Sequence, residues 1–427
     1  MRLNLDTLER LGWRFGLQTT EALLSELGNP HRNLRVVHVA GTNGKGSTSA
    51  FMASILKACG YKTGLYTSPH LCDIRERFRV NGTWISERDF DRITRRVLSA
   101  CAKIKKQLGH LPTEFEALTA IAFCWFQEQK VDWLVLEVGL GGRLDATNAV
   151  PLPELALITP IGLEHQEILG KSLAKIATEK AGILKSGGLA ATFQYKQEAL
   201  QAIERIAREK GVGLWVGGRD FKHRLAGNQF HWEGPGFNQT FRLSGLPAFQ
   251  ITNASLAVAG IRMLVSRDLS APVKTIQKGL AAMHWPGRME VLQNKSLVLL
   301  DGAHNPDAAE ALSFALKREY PGQKMVLLNG FLRDKDYAQC AKIMAPHTAL
   351  AVVTAAPSDR AEEPLNIVRA WERAGVRALW VKDWKQALVV SRGLASAAKN
   401  PLLIMGSLYL GGECRQALIG SKGLRKI

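Results

Sequence analysis

Residues 36–48, VVHVAGTNGKGST, place a glycine-rich loop between an apolar run and a helix-forming segment. The three glycines allow sharp backbone turns, so main-chain N–H groups and the positive end of the following helix can face phosphate oxygens. Lys45 would add positive charge near the β- and γ-phosphates, and a hydroxyl just beyond it would contact the phosphates or Mg²⁺. An ordinary glycine turn is the alternative, but a strand before the loop and a helix after it favour a nucleotide-binding α/β domain.

The first half of the chain alternates short apolar runs with helical patterns. Strands are predicted at 34–40, 62–67, 133–138 and 155–159, and a helix at 114–127. Near-continuous hydrophobicity suits strands of a parallel sheet that is buried on both faces. Alternation of strands with helices predicts βαβ units in a doubly wound sheet. Residues 213–246 differ, because short alternating strands and glycine turns predict a small separate β segment there.

The pattern resets at Trp285-Pro286-Gly287-Arg288, where proline and glycine favour a domain junction. A second βα series follows, with strands predicted at 296–300, 324–328, 349–354, 378–381 and 401–405. The predicted class is α/β, with a P-loop doubly wound amino-terminal domain at 1–290 and a smaller Rossmann-like α/β domain at 291–427. The length of 427 residues fits two or three domains, and a ligand cleft is expected where two domains meet.

Composition and patterning argue against several classes of protein. No apolar run reaches the roughly 18 residues of a membrane-spanning helix, and the start, MRLNLDTLERLGWRFG, lacks the apolar core of a secretory signal. The six cysteines form no CxxC pair, which argues against a disulfide framework and fits a cytoplasmic location. A net charge of +18 favours polyanionic partners without choosing among nucleic acid, an anionic membrane and a charged small molecule, and simple solubility is the alternative.

Eight further motifs follow the loop sequence GTNGKGS in order. They are TSPHL (67–71), ERFRVNG (76–82), LEVGLGGRLDATN (136–148), GLEHQEILG (162–170), EKAGILK (179–185), PGR (286–288), LDGAHNP (300–306) and GSLYLGGE (406–413). Together they resemble the folylpolyglutamate synthase/dihydrofolate synthase family, within the larger Mur ligase family of ATP-dependent acid–amino acid ligases. The resemblance implies an ATP- and Mg²⁺-dependent monomer that adds L-glutamate to dihydropteroate and to tetrahydrofolate polyglutamates, with no nucleic-acid or membrane partner.

The same resemblance implies roles for individual residues. ATP contacts fall on Gly44, Lys45, Gly46, Ser47, Asn253, Arg288 and Asp301. Catalytic roles fall on Lys45, Lys180 and His304, with Lys180 carbamylated by CO₂ so that it can orient the second of two Mg²⁺ ions. Metal ligands fall on Ser68, Glu137 and His165. The pterin or folate contacts fall on Thr113, Glu114, Phe115, Glu116, Leu144, Asp145 and Ala146.

Read without the resemblance, several of these residues have simpler explanations. Glu137 would be a salt-bridged carboxylate at a strand end, and Lys180 one more surface lysine. Asp301 would cap the helix that begins at Pro306, and Phe115 would be a core aromatic on a helix face. Glu164 stands where the family usually has aspartate, and its role is open.

Two other functions compete with a folate ligase. A Mur-type cell-wall amino-acid ligase is the nearer one, and Gly46 and the DATN segment weigh against it. A nucleic-acid-binding P-loop ATPase is suggested by the net charge and by the basic stretch 92–106. No interleaving of aromatic and basic residues occurs near the loop, and that stretch fits a solvated helix face better.

Overall fold

The computed structural model describes residues 16–243 and 246–424. Residues 1–15, for which no secretory signal is predicted, lie outside the described residues. Within the described ranges the chain divides into two compact units. The first comprises 16–70, 74–243 and 251–283, and the second comprises 71–73, 246–250 and 284–424. None of the helices described is long and apolar enough to cross a bilayer.

An eight-stranded sheet runs through the first unit. Its strands are β1 (Val36–Ala40), β2 (Thr63–Tyr66), β3 (Phe78–Val80), β4 (Thr83–Trp84), β5 (Trp133–Glu137), β6 (Leu155–Ile158), β7 (Leu189–Thr192) and β8 (Gly213–Val216). The spatial order is β4-β3-β2-β5-β1-β6-β7-β8. The six strands from β2 to β8 are parallel, while β3 and β4 add an antiparallel hairpin at one edge. All five residues of β1 and of β5 are buried, as their continuous apolar runs predict.

Helices cover both faces of this sheet. They are α1 (Gln18–Glu26), α2 (Lys45–Ala58), α3 (Glu87–Leu108), α4 (Glu114–Glu128), α5 (Gln166–Leu169), α6 (Leu173–Lys180), α7 (Gln197–Glu209), α8 (Gln250–Val265) and α9 (Val273–Ala282). The alternation along β6 shows the two-sided arrangement. Ala156 and Ile158 pack in one cluster with residues of α6 and α7, whereas Leu155 and Leu157 lie against Gly260 of α8. The predicted doubly wound class is confirmed.

A three-stranded antiparallel sheet forms the small β segment. It contains β9 (Lys222–Ala226), β10 (Gln229–Gly234) and β11 (Phe237–Arg242). The prediction of one separate segment at 213–246 is wrong at its start, because 213–216 pairs in parallel with β7 as the last strand of the large sheet. The indole N–H of Trp232 donates to the carbonyl of Ser255 at 3.1 Å, which joins the small sheet to α8.

The basic stretch 92–106 lies within α3. Arg92 contacts the carboxylates of Glu128 at 2.7 Å and Asp89 at 3.1 Å, and Arg96 lies 3.2 Å from Glu128. The opposite side of the helix is apolar and buried. The basic residues therefore form an exposed, ion-paired face, in agreement with the sequence interpretation.

The second unit holds a six-stranded sheet with helices on both faces. The strands are β12 (Glu290–Gln293), β13 (Val298–Leu300), β14 (Met325–Asn329), β15 (Thr348–Val353), β16 (Ala378–Trp380) and β17 (Leu402–Met405), in the order β12-β13-β17-β14-β15-β16. The helices are α10 (Pro306–Glu319), α11 (Tyr337–Met344), α12 (Pro364–Arg373), α13 (Trp384–Ala397) and α14 (Leu408–Leu424), the last interrupted by non-helical Gly420. All strands but β12 are parallel. Successive residues of β13 and β14 pack in different apolar clusters. Leu299 and Leu327 belong to one cluster, and Val298 and Val326 belong to the other.

A three-residue segment from earlier in the chain completes this second unit. Leu71 packs against the apolar cluster that contains Val298. The carbonyl oxygen of Leu71 lies 1.8 Å from where a Cβ on Gly412 would stand, and the thiol of Cys72 donates to the Gly412 carbonyl at 3.3 Å. Glycine is therefore required at 412 for this segment to lie against α14.

The second unit also contains a buried ion pair. Arg415 of α14 contacts both carboxylate oxygens of Glu290 at 2.9–3.0 Å, and the two side chains are only 3% and 10% exposed. Glu290 also accepts from the Gly287 N–H at 2.9 Å. The pair therefore ties α14 to β12 and to the PGR motif.

Substituting Glu290→Gln is expected to destabilise the protein by roughly 3–5 kcal/mol, because it leaves a buried guanidinium without a counter-charge. Denaturant unfolding monitored by circular dichroism would measure the change. The matched control is Glu209→Gln, which breaks the exposed pair with Arg205 and should cost less than about 1 kcal/mol. Equal losses in the two variants would contradict the assignment.

Candidate active site

The glycine-rich loop joins β1 to α2 at the carboxyl edge of the large sheet. Gly41 and Gly44 have φ angles of 143° and 89°, which side-chain-bearing residues rarely adopt. The N–H groups of Thr42 and Asn43 donate to the carbonyl of Pro160, at 3.1 and 3.3 Å. These two N–H groups are therefore paired within the protein, and phosphate binding by the other loop amides stays a prediction. The first turn of α2 still presents N–H groups that a helix cannot pair internally, together with its positive dipole end.

Asn253 of α8 lies directly on this loop. Its Oδ1 is 2.3 Å from where a Cβ on Gly44 would stand, so no side chain fits at 44. The hydroxyl of Thr48 lies 3.5 Å from the same oxygen, and Lys45 Nζ donates to the Thr42 carbonyl at 3.1 Å. Ser47 is buried in the first turn of α2. The structure thus places predicted ATP residues from two distant parts of the chain side by side.

Lys180, at the end of α6, is 4% exposed and donates from Nζ to the carbonyl of Gly41 at 2.7 Å. Burial lowers the pKa of Lys180 to about 7, and the charge of Lys45 acts in the same direction. The carboxylates of Glu164 and Asp145 act against this shift. The interpretation of Lys180 as a surface lysine is excluded, because its amine is buried beneath the glycine-rich loop.

Two of the three predicted metal ligands lie together. Glu137 ends β5, is buried, and accepts from the N–H of Ser68 at 3.1 Å. His165 precedes α5 with a φ of 52°, and its Nε2 lies 3.8 Å from Glu164. No group of three histidine, cysteine, aspartate or glutamate side chains able to hold a metal ion occurs in the described part of the chain. A hydroxyl and a carboxylate nevertheless fit Mg²⁺, which prefers oxygen and keeps several waters.

The predicted folate residues on α4 divide into two groups. Thr113 and Glu116 form a capping box at the start of α4, and Glu116 also accepts from the hydroxyl of Thr20 at 3.0 Å. Phe115 packs its ring on Gly139, where a Cβ would come within 2.3 Å, and lies 6.4 Å from Tyr66. Thr113 and Glu116 therefore hold the helix start, while Phe115 faces the loop that follows Glu137.

Asp145 holds that loop in place. Its Oδ2 accepts from the Leu140 N–H at 2.8 Å, and its Oδ1 accepts from the N–H and the hydroxyl of Thr147, at 3.0 and 2.5 Å. A further main-chain bond comes from Gly139. Four donors match the number of lone pairs that a carboxylate offers. The acceptors of Asp145 are therefore used within the protein, and binding of a pterin edge by Asp145 stays a prediction. Of the other predicted folate residues, Ala146 is buried, and Leu144 and Glu114 are half-buried.

In the second unit, Asp301 follows β13 and accepts from the N–H groups of Met289 and Ala303, each at 2.8 Å. Burial raises the pKa of Asp301, and the nearby Arg288 guanidinium offsets part of the rise. Asp301 is not the helix cap, because Asn305 Oδ1 accepts from the Ala308 N–H at the start of α10.

The position of the Arg288 guanidinium requires glycine at 302 in the LDGAHNP motif. A Cβ at 302 would lie 2.1 Å from Arg288 Nη1, so the guanidinium rests on Gly302. His304 Nδ1 is 2.7 Å from the Gly302 carbonyl. A carbonyl only accepts, so Nδ1 donates the hydrogen in this contact. The PGR and LDGAHNP motifs thus form one compact arrangement.

Sequence reasoning missed two buried polar residues that support the site. His38 in β1 lies 2.9 Å from the Thr147 hydroxyl, and burial lowers the pKa of His38 to about 3, so the ring is neutral. Gln194 donates to the carbonyl of Thr159 at 2.8 Å and accepts from the N–H of Ile161 at 3.0 Å. Gln194 thereby fixes residues 159–161, and the Pro160 carbonyl of this segment accepts from the glycine-rich loop. A histidine inside the apolar run VVHVA was the available signal for the first.

Several known proteins are similar to this chain. The family described as Mur ligase, glutamate ligase domain, matches residues 287–408. The chain is 36% identical to a dihydrofolate synthase/folylpolyglutamate synthase of Bacillus subtilis over 418 residues, covering 96% of both chains.

Two solved structures share the fold over nearly the whole length. A Mycobacterium tuberculosis folylpolyglutamate synthase complexed with ADP has a TM-score of 0.89 at 30% identity, covering 97% of this chain and 96% of that one. A bifunctional folylpolyglutamate synthase/dihydrofolate synthase with Mn, AMPPNP and L-glutamate bound has a TM-score of 0.86 at 30% identity, covering 97% of each chain. With a relative this similar over nearly the full length of both chains, the chain belongs to the folylpolyglutamate synthase/dihydrofolate synthase family.

Proposed function

We propose that this protein is an ATP-dependent ligase that joins L-glutamate to the carboxylate of dihydropteroate and of reduced folates. The observation that carries the proposal is the phosphate loop with two lysines, Lys45 at its end and buried Lys180 beneath it, in a member of this family. Of the two similar solved structures, one is complexed with ADP and the other has Mn, AMPPNP and L-glutamate bound. We further propose cytoplasmic location and a monomeric state, the former supported by six free cysteines.

The reaction would proceed in two steps. The acceptor carboxylate attacks the γ-phosphorus, the bond to ADP breaks, and an acyl phosphate forms. The amine of glutamate then attacks the acyl carbon, an amide bond forms, phosphate leaves, and the amine loses a proton. In the first step, charge builds on oxygens of the transferring phosphoryl group. We assign the stabilisation of that charge to the first-turn amides of α2 and to Lys45, which would be catalysis by positioning and electrostatics.

Ser68 and Glu137 are the residues we propose to hold Mg²⁺, with His165 as a third candidate ligand. When bound there, the ion would neutralise charge on the phosphate oxygens. A second site would need an anion near Lys180. The neutral amine of Lys180 can react with CO₂ to give a carbamate and release one proton, which converts a neutral group into a two-oxygen anion. The lowered pKa of Lys180 supports this proposal, because an ammonium has no lone pair to react.

We assign the folate side of the site to the loop after β5 and the start of α4. Phe115 offers an aromatic face beside Gly139, and Asp145 sets the path of the loop through its internal hydrogen bonds. We also assign roles in nucleotide binding and phosphoryl transfer to Arg288, Asp301 and His304. We propose that the domain predicted at 1–290 binds ATP and that the domain predicted at 291–427 is the glutamate ligase domain.

Phosphate release by the purified enzyme tests the function. With ATP and Mg²⁺, dihydropteroate and tetrahydrofolate should each give glutamate-dependent phosphate and a product heavier by one glutamate residue. UDP-muramyl substrates should give neither product nor glutamate-dependent phosphate. Product from tetrahydrofolate alone would leave only the polyglutamate activity, and product from the muramyl substrate would favour the cell-wall alternative.

A further inference from the structure

Tyr195 is an exposed aromatic residue that is nevertheless held in place. Its ring follows β7 at the carboxyl edge of the large sheet and is 68% exposed. Its hydroxyl lies 2.8 Å from the hydroxyl of Thr252 in α8. The ring centre is 5.3 Å from that of Phe193, with the planes tilted by 53°. An aromatic side chain fixed at both ends while facing water is suited to receive a flat ligand.

This ring stands close to the phosphate loop. Thr252 is followed directly by Asn253, whose side chain lies on Gly44, and consecutive Cα atoms are about 3.8 Å apart. β7 is also the second strand from β1 in the sheet, so the carboxyl ends of the two strands are roughly 10 Å apart. That span is compatible with one nucleotide whose phosphates lie at the start of α2.

Tyr195 is connected to the small antiparallel sheet through Phe193. Phe193 packs on Gly217, where a Cβ would lie 2.1 Å from its ring. Its ring centre is also 5.8 Å from that of Phe221, and Phe221 stacks on Trp232 at 5.8 Å. Trp232 in turn bonds to α8. One aromatic cluster therefore fixes both Phe193 and the helix that anchors the Tyr195 hydroxyl.

We propose that Tyr195 is the platform on which the aromatic base of the nucleotide stacks. The proposal rests on the proposed function, because it takes the loop at Gly44 as the binding site of the phosphates. Stacking on an aromatic side chain is tolerant of base identity, since every base offers a π-face. Tyr195 thus supplies affinity for a nucleoside that the phosphate loop by itself does not provide.

Isothermal titration calorimetry with ATP and with inorganic tripolyphosphate separates the two contributions. The Tyr195→Ala variant should bind ATP roughly 5- to 30-fold more weakly, the lower part of the range for stacked bases. Its affinity for tripolyphosphate should change by less than about twofold, because the probe has no base. Tyr195→Phe keeps the ring and should bind ATP nearly as the wild type does. Phe314→Ala, which removes another exposed aromatic residue, is the matched control and should bind both ligands normally.

Each alternative has its own outcome. Wild-type ATP affinity in Tyr195→Ala would overturn the platform. Equal weakening of ATP and tripolyphosphate would show that Tyr195 acts only by supporting α8 and the loop, which also overturns it. If the wild-type protein binds neither ligand, the proposed function itself fails, and this result is distinguishable from failure of the platform.

Discussion

The Lys45→Ala variant is expected to lose ligation activity by at least roughly 10²–10³-fold, the effect of removing one preorganised stabiliser of transition-state charge. Lys45 begins α2, and its amine lies 3.1 Å from the carbonyl of Thr42 within the loop. The substitution removes charge at the phosphates but little packing, because the side chain is only half-buried. The free energy of unfolding should therefore change by no more than about 1 kcal/mol.

Steady-state phosphate release and denaturant unfolding would be measured together on this variant. Lys57→Ala supplies the matched control, since Lys57 lies on the same helix but is exposed at its far end. The control should retain wild-type turnover. Wild-type turnover in a folded Lys45→Ala protein would remove the chemistry assigned to the loop.

A loss of similar size is expected for Lys180→Ala, roughly 10²–10³-fold, if the carbamate orients a metal ion. With a pKa of about 7, about half of the Lys180 amine is neutral at pH 7. For an ordinary lysine of pKa near 10.4 the neutral share is about one in 2,500. As the pH falls below 7 the amine protonates, so the carbamate and the activity should decline together and recover when bicarbonate is raised.

Carbon-13 NMR on enzyme equilibrated with labelled bicarbonate would detect the carbamate directly. The resonance should be absent from Lys180→Ala and present in Lys175→Ala, which alters an exposed lysine of the same helix. Formate or acetate at high concentration should restore part of the activity of Lys180→Ala by replacing the lost carboxylate oxygens. Fully active enzyme without a Lys180-dependent signal would refute the modification.

The lowered pKa of Lys180 also has a consequence for stability. The unfolded chain holds this proton up to about pH 10, whereas the folded protein releases it near pH 7. Between these values the unfolded state binds more protons, so the contribution of this group to the free energy of unfolding rises with pH.

The strands were predictable wherever burial on both faces leaves an unbroken apolar run. β1, β5 and β6 each lie within two residues of their predicted bounds. Gly213–Val216 was misplaced because its pairing with β7 joins residues more than twenty positions apart, and nothing local distinguishes it from the hairpin strands that follow. The strand pattern therefore gave the fold class but not every sheet partner.

In the candidate site, too, local features were predictable and contacts between distant residues were not. Gly44 and Lys45 are local sequence signals, and both lie at the junction of a strand and a helix, as the sequence predicts. Burial of Lys180 under Gly41 depends on a contact across 139 positions of sequence, so the segment EKAGI alone reads as an exposed helix end. The internal role of Asp145 was missed for a different reason, because three of its four donors are main-chain N–H groups, which every residue except proline carries.

The three residues at 71–73 bear on how this protein can be divided into fragments. A polypeptide that begins at residue 284 contains every strand of the second sheet but lacks Leu71 and Cys72. The surface of α14 at Gly412 and the apolar cluster near Val298 would then face solvent. Truncation designs for the carboxyl-terminal half therefore need to fill that gap, for example with a fused peptide in place of 71–73. A proteolytic fragment that ends at 283 would keep 71–73 without the α14 surface against which they pack, so it would not reproduce the first unit as it is in the whole chain.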